Sequence, residues 1–174
     1  MTVCPTLRSA LLPAALLAGL SLIPGTAAAA RDEVSREQTA ALNAVAKMAE
    51  AQRTYYQKYG RFRATVPDIQ RDFGIVMPAS YNYAVRTTRQ AAYSYVIPAR
   101  SPKVGTLNAY VGATFLTPNQ TPKITTIICQ NTQTGQIRPA DPQLVVGSLV
   151  PNPTGRIVRC GNVSLEVKAS VVNE

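Results

Sequence analysis

The chain has 174 residues, no histidine and no tryptophan, and its 18 Lys+Arg against 9 Asp+Glu give a formal charge of +9 at pH 7. The lack of histidine removes the commonest general base and the usual partner of a serine or cysteine nucleophile. It also leaves a zinc site poorly supplied with ligands. A chain of this length has room for one domain with a real core.

Residues 1–30 read as a signal peptide. Arg8 supplies a positive n-region, Leu11 to Ile23 is a short run dominated by Leu and Ala, and Pro24-Gly25 is expected to break any helix there. Ala28-Ala29-Ala30 then offers a small-x-small cleavage site before Arg31. The apolar run falls short of the roughly 20 residues that span a bilayer; the competing reading is an uncleaved membrane anchor. Cys4 precedes the run, which argues against a lipoprotein anchor. The expectation is an exported protein, periplasmic, cell-surface or secreted, with cleavage between Ala30 and Arg31 and no integral membrane anchor afterwards. The mature domain would be residues 31–174.

From Val34 to Phe62 the apolar and aromatic residues recur at helical spacing: Val34, Ala41, Leu42, Val45, Met48, Ala49, Tyr55, Tyr56 and Tyr59. At about 100° per residue these share one face, which predicts a long amphipathic helix. Ser35 and Gln38 suit a capping box behind an acidic first turn of Asp32 and Glu33. Lys58 in the last turn and Gly60 as the C′ residue mark the stop. A single stripe implies a helix that lies on something, and Val45, Met48, Tyr55, Tyr56, Tyr59 and Phe62 are the expected helix–sheet core. A stacking site for a ligand is the alternative use of the tyrosines.

Residues 63–78 read as a loop with a short helical turn started by Pro67 and Asp68, followed by the apolar Phe73-Gly74-Ile75. The period then changes to 2. Tyr81, Tyr83 and Val85 alternate with Asn82, Ala84 and Arg86, and Tyr93, Tyr95 and Ile97 with Ser94 and Val96, so residues 86–90 would connect a hairpin. Further strands are expected at Ala109–Leu116, Ile124–Gln130 and Val163–Lys168. Turns are expected at Asn131–Gly135 and Pro151–Gly155, and proline-rich loops around 98–102, 118–122 and 139–153. The fold class is α+β: one long N-terminal amphipathic helix packed on an antiparallel sheet of four to five strands.

Removing residues 1–30 takes away Arg8 alone, so the charge falls from +9 to +8. The basic residues are dispersed, with no run of five or six, so a dedicated nucleic-acid arm is not indicated. A solvated basic surface and a weak attraction to polyanions both fit. Once Cys4 is gone, Cys129 and Cys160 remain, and in an oxidising compartment two thiols are expected to pair. Their loop of about 30 residues would contribute roughly 3–4 kcal/mol on the chain-entropy model; two buried free thiols are the alternative. Asp68 and Asp72 are the nearest approach to paired carboxylates, and a solvated turn explains them as well. There is no phosphate loop, no GxSxG and no metal cluster, so neither an enzyme nor a cofactor is expected.

Gln52-Arg53-Thr54-Tyr55-Tyr56-x-x-x-Gly60-x-Phe62 resembles the end of the long helix in bacterial type IV pilin-like proteins. Phe73-Gly74-Ile75, Pro78 and Tyr81-x-Tyr83 resemble the loop and first strand that follow it there, and Tyr110-Val111-Gly112-Ala113 is similar to a later strand. The resemblance implies a pilin-like fold and a C-terminal region held by paired cysteines such as Cys129 and Cys160. One departure stands out. A pilin has a Gly-Phe processing site, a glutamate five residues into the mature chain and about twenty apolar residues behind it. This chain has Thr26 after Gly25, Ala30 in the glutamate's place, and Arg31-Asp32-Glu33 where the stalk should run.

The sequence therefore reads as a non-enzymatic, exported pilin-like protein with a structural or binding role. Its expected partners are proteins of a type IV pilus or type II secretion system. The alternative is an exported protein that binds DNA or polysaccharide through a dispersed basic surface.

Overall fold

A computed structural model of the chain describes residues 25–102, 104–117, 123–145 and 158–169. Its main element is α1, Gly25–Tyr59, a helix of 35 residues with Lys58 in the last turn. The expected start was wrong. The helix begins at Gly25, so the first turn carries no acid and the Ser35–Gln38 pair lies well inside. The alanine run 27–30 has the highest helix propensity available, and no proline interrupts residues 25–59, so nothing stops the helix at Ser35. The Ser35 carbonyl accepts from Thr39 Oγ1 at 2.9 Å within the helix. Gln38 turns to the sheet instead, donating Nε2 to the Thr106 carbonyl at 3.0 Å and accepting at Oε1 from Asn108 Nδ2 at 3.1 Å. The stop is as the sequence predicts: Gly60 has φ 66° and its N–H donates to the Tyr56 carbonyl at 2.8 Å.

The expected helical turn is α2, Val66–Phe73, with Thr65 as N-cap, proline in its first turn and Gly74 closing it in the left-handed region. Five strands form the main sheet: β1 (Tyr81–Thr87), β2 (Ala91–Pro98), β3 (Asn108–Leu116), β4 (Ile124–Thr134) and β7 (Ser164–Glu166). They pair antiparallel in the order β1-β2-β3-β4-β7. Two further strands, β5 (Gln143–Leu144) and β6 (Val158–Arg159), pair antiparallel with each other. The fold is α+β, one long helix on a five-stranded antiparallel sheet, as the sequence suggests. The turn expected at Asn131–Gly135 is a correction, because β4 continues through it to Thr134 and Asn131 pairs with Ser164. Chain reversal falls at Gly135, where φ is 109°. Within the stretch expected as a proline-rich loop from 139, β5 forms. The expected signal sequence up to residue 24, the loop at 118–122 and the turn at Pro151–Gly155 lie outside the described residues.

The sheet is covered on both faces. Under α1, Ala41, Val45, Met48, Ile69, Val96 and Tyr110 form one core. On the opposite face Tyr95, Val111, Phe115, Ile127, Cys129 and Val158 form a second. Central strands covered twice lose their alternation, and β3 is buried at every position from Ala109 to Phe115. In β1 the alternation holds, with Tyr81, Tyr83 and Val85 on the α1 side. In β2 it misleads: Tyr93, Tyr95 and Ile97 pack in the far core, and it is Val96 that packs beneath the helix.

Close approach of α1 to the sheet depends on a small residue. A Cβ at Gly112 would meet the Val45 carbonyl oxygen at 3.0 Å and Ala49 Cβ at 3.1 Å. Two residues on, the buried Thr114 donates its Oγ1 to the Ala49 carbonyl at 2.9 Å. Helix and strand thus approach closely and are tied by a side-chain hydroxyl to a backbone carbonyl, with no large side chain between them.

Burial also sets the alkaline limit of the fold. It pushes Tyr110 up to about 12, and raises Tyr81, Tyr83 and Tyr95 above the ordinary phenol value as well. In each the folded state holds its proton more tightly than the unfolded chain. Stability is therefore fully present below about pH 10 and falls as pH rises beyond it, where only the unfolded chain ionises. Tyr110 alone should remove roughly 2 kcal/mol by pH 12. Denaturant midpoints measured from pH 8 to 12 should be level at first and then drop, with ionisation of the buried tyrosines appearing together with unfolding. A midpoint level throughout would contradict it.

Candidate functional site

Three surfaces were candidates: the aromatic end of α1, the carboxylate pair of α2, and the cysteine-bridged C-terminal layer. Along α1, Val45 and Met48 are fully buried and Tyr55 nearly so. Beyond Tyr55 the helix outruns its cover. Tyr59 is 52% exposed, a correction to its expected place in the helix–sheet core. Its ring leans on Tyr55, centroids 4.5 Å apart, with the Lys58 amine 5.1 Å away. Tyr56 and Phe62 are half-buried against each other at 4.7 Å, so they pack locally at the helix end. The set read as one core is in fact split between a buried stripe and an aromatic helix end.

The α2 carboxylates belong to a clip. Thr65 and Asp68 form a mutual cap: Asp68 N–H donates to Thr65 Oγ1 at 3.3 Å, and that hydroxyl donates to Asp68 Oδ2 at 2.7 Å. The Thr65 hydroxyl and Arg71 hold the Asp68 carboxyl below its usual range. Arg63 pairs with Asp72 and lies 4.3 Å above the Tyr55 ring. Burial works against its charge, but Asp72, Tyr55 and Asp68 hold the guanidinium above its ordinary value. Gln52, fully buried, clasps the Arg63 backbone twice, donating to its carbonyl at 2.8 Å and accepting from its N–H at 2.9 Å. Two arginines therefore neutralise two aspartates at the helix end. An open groove of about 240 Å³ between α1 and α2 is lined by Ala46, Lys47, Glu50, Ala51, Thr54, Phe73 and Ile75, with no convergent polar set.

On the far face, Cys129 and Cys160 are joined, with Cα atoms 5.7 Å apart. Nearby, Asp141 accepts from Arg86 and from the Tyr95 hydroxyl, with Arg138 at 3.6 Å. Arg86 stacks over Tyr93 at 4.3 Å and Arg138 over Tyr95 at 4.1 Å. This cation–aromatic stack fastens the segment before β5 to the sheet 55 residues earlier in sequence. Gly161 is a second close approach, because a Cβ there would meet Ala140 Cβ at 2.6 Å. Sequence reasoning missed Asp141, Arg86 and Arg138, since nothing local marks a pair so far apart. Thr65-x-x-Asp68 did carry a readable capping signal.

Among the described residues no group of three or more His, Cys, Asp or Glu is placed to hold a metal, and no helix is long and apolar enough to cross a membrane. Each polar cluster above joins one part of the fold to another. The result is a pilin-like α+β domain, a long helix on an antiparallel sheet with a stapled C-terminal layer behind it. The sequence profile of the type IV pilin-like G and H family matches residues 38–152, and the chain belongs to that family. Neither the curated proteins nor the solved structures gave a match.

Proposed function

We propose that this is an exported, non-enzymatic pilin-like protein that serves as an accessory component of a type IV pilus or type II secretion system. Residues 1–30 direct its export and are removed before Arg31. The observation that carries this reading is the first half of α1. In a filament subunit that half-helix is apolar, held in the membrane and later buried in the fibre. Here Arg31, Asp32 and Glu33 are all exposed on a helix that belongs to the same rigid rod as the domain core. Three charges in lipid or fibre core would cost at least several kcal/mol, at about 2.5–3.5 per charged residue on insertion scales. The one apolar stripe behind them already lies on the sheet. The domain therefore meets a pilus or secretion apparatus through its globular surface.

Affinity capture from native envelopes, after mild cross-linking, tests this reading. Pilus or secretion-system subunits should be recovered with the protein, cross-linked to residues beyond 38. Recovery of none above an untagged control would sink the proposal.

A further inference from the structure

Ion pairing occupies five of the described arginines, which the sequence does not reveal. Arg53 pairs with Glu50, Arg63 and Arg71 with Asp68 and Asp72, and Arg86 and Arg138 with Asp141. Among the described residues, Arg36, Lys47 and Arg100 are exposed without an ion pair elsewhere on the surface, and so are Lys58, Arg61, Arg89 and Lys123. The topology brings these four to one end of the molecule. Thr114 binds the Ala49 carbonyl, so α1 runs alongside β3 and ends beyond that strand's C-terminal end. At this same strand end Leu116 N–H donates to the Gln90 carbonyl at 2.8 Å, and Thr117 N–H to the Lys123 carbonyl at 2.7 Å. The turn carrying Arg89 and the residue Lys123 therefore flank the end of β3, with Lys58 and Arg61 on the helix end above. Asp68 and Asp72 beside the helix end, and Asp141 beside the end of β1, are already held by Arg63, Arg71 and Arg86. Tyr59, at the same helix end, has half its surface in solvent and the Lys58 amine 5.1 Å from its ring.

We propose that this basic end binds a single strand of nucleic acid. The four cations take the phosphates and Tyr59 offers a ring on which a base stacks. Two of the four are arginines, whose planar fork matches a phosphate. A cationic surface with an aromatic platform is what sequence-tolerant recognition of a single strand requires. The proposal does not rest on the pilus association, which stands or falls by the capture experiment.

Fluorescence anisotropy of a labelled 20-nucleotide single strand with the native mature protein is the test. Saturable binding is expected at 50 mM salt, with affinity falling steeply by 200 mM as counterions are released. Arg61→Glu with Arg89→Glu should weaken binding at least tenfold, whereas Arg100→Glu, at the other end of β2, should leave it within twofold. Tyr59→Ala, which keeps every charge, should weaken binding several-fold and leave the salt slope unchanged. The proposal is overturned by absence of saturable binding, by equal losses in the Arg100 control, by an unaffected Tyr59 variant, or by equally tight binding of polyglutamate. The last result would mean recognition of charge alone.

Discussion

Replacing Gly112 by valine is expected to destabilise the domain by about 3 kcal/mol, near the upper end of the range for overpacking a closed core. The position has no space to give. An added Cβ meets a backbone oxygen at 3.0 Å and Ala49 Cβ at 3.1 Å, and a helix carbonyl cannot rotate aside as a flexible side chain would. Relief requires lifting α1 from the sheet, which strains the Thr114–Ala49 bond and opens the packing around Met48. Gly105 is the control, because nothing lies within 4 Å of its Cβ position. Gly105→Ala should change stability by less than about 0.5 kcal/mol. Denaturant midpoints of the two variants against the parent decide the matter; equal midpoints for all three would show that the close approach is not required.

Cys129→Ser with Cys160→Ser carries the other large effect. The bond closes a span of 31 residues, and loop-closure entropy for such a span gives about 3–4 kcal/mol. Cys129 lies in the far core and Cys160 at its edge, directly after β6. Without the bond, the far-face layer would be held by the two-residue β5–β6 pair and the Asp141 cluster. That cluster is partly exposed, so each of its ion pairs contributes little by itself. The variant should unfold at a clearly lower denaturant concentration, and the parent should match it under reducing conditions. A reduced protein with the oxidised midpoint would contradict the expectation.

What the sequence revealed was what local chemistry decides. The face through Val45, Met48 and Tyr55, the stop at Gly60 and the hairpin of β1 and β2 each follow from spacing and turn residues close at hand. The helix start was misread because Ser35-x-x-Gln38 imitates a cap, while the alanine-rich segment before it simply continues the helix. Tyr59 and Phe62 were misplaced for a different reason. Helical periodicity says which face a residue occupies but not where the partner sheet ends. Period 2 in β2 separated Tyr95 from Val96 correctly, yet it does not say which set meets the helix when both faces are covered. Likewise the charges looked dispersed along the chain. Only the antiparallel register shows that Lys58, Arg61, Arg89 and Lys123 share an end.

The most direct measurement of the central claim is fractionation of native cells combined with the intact mass of the protein recovered. A pilin-like domain freed of residues 1–30 should appear in periplasmic or secreted fractions without detergent, with a mass that begins at Arg31 or one or two residues earlier. Protein that retains residues 1–24, or that is found only in sheared filaments or the integral membrane fraction, would contradict the account.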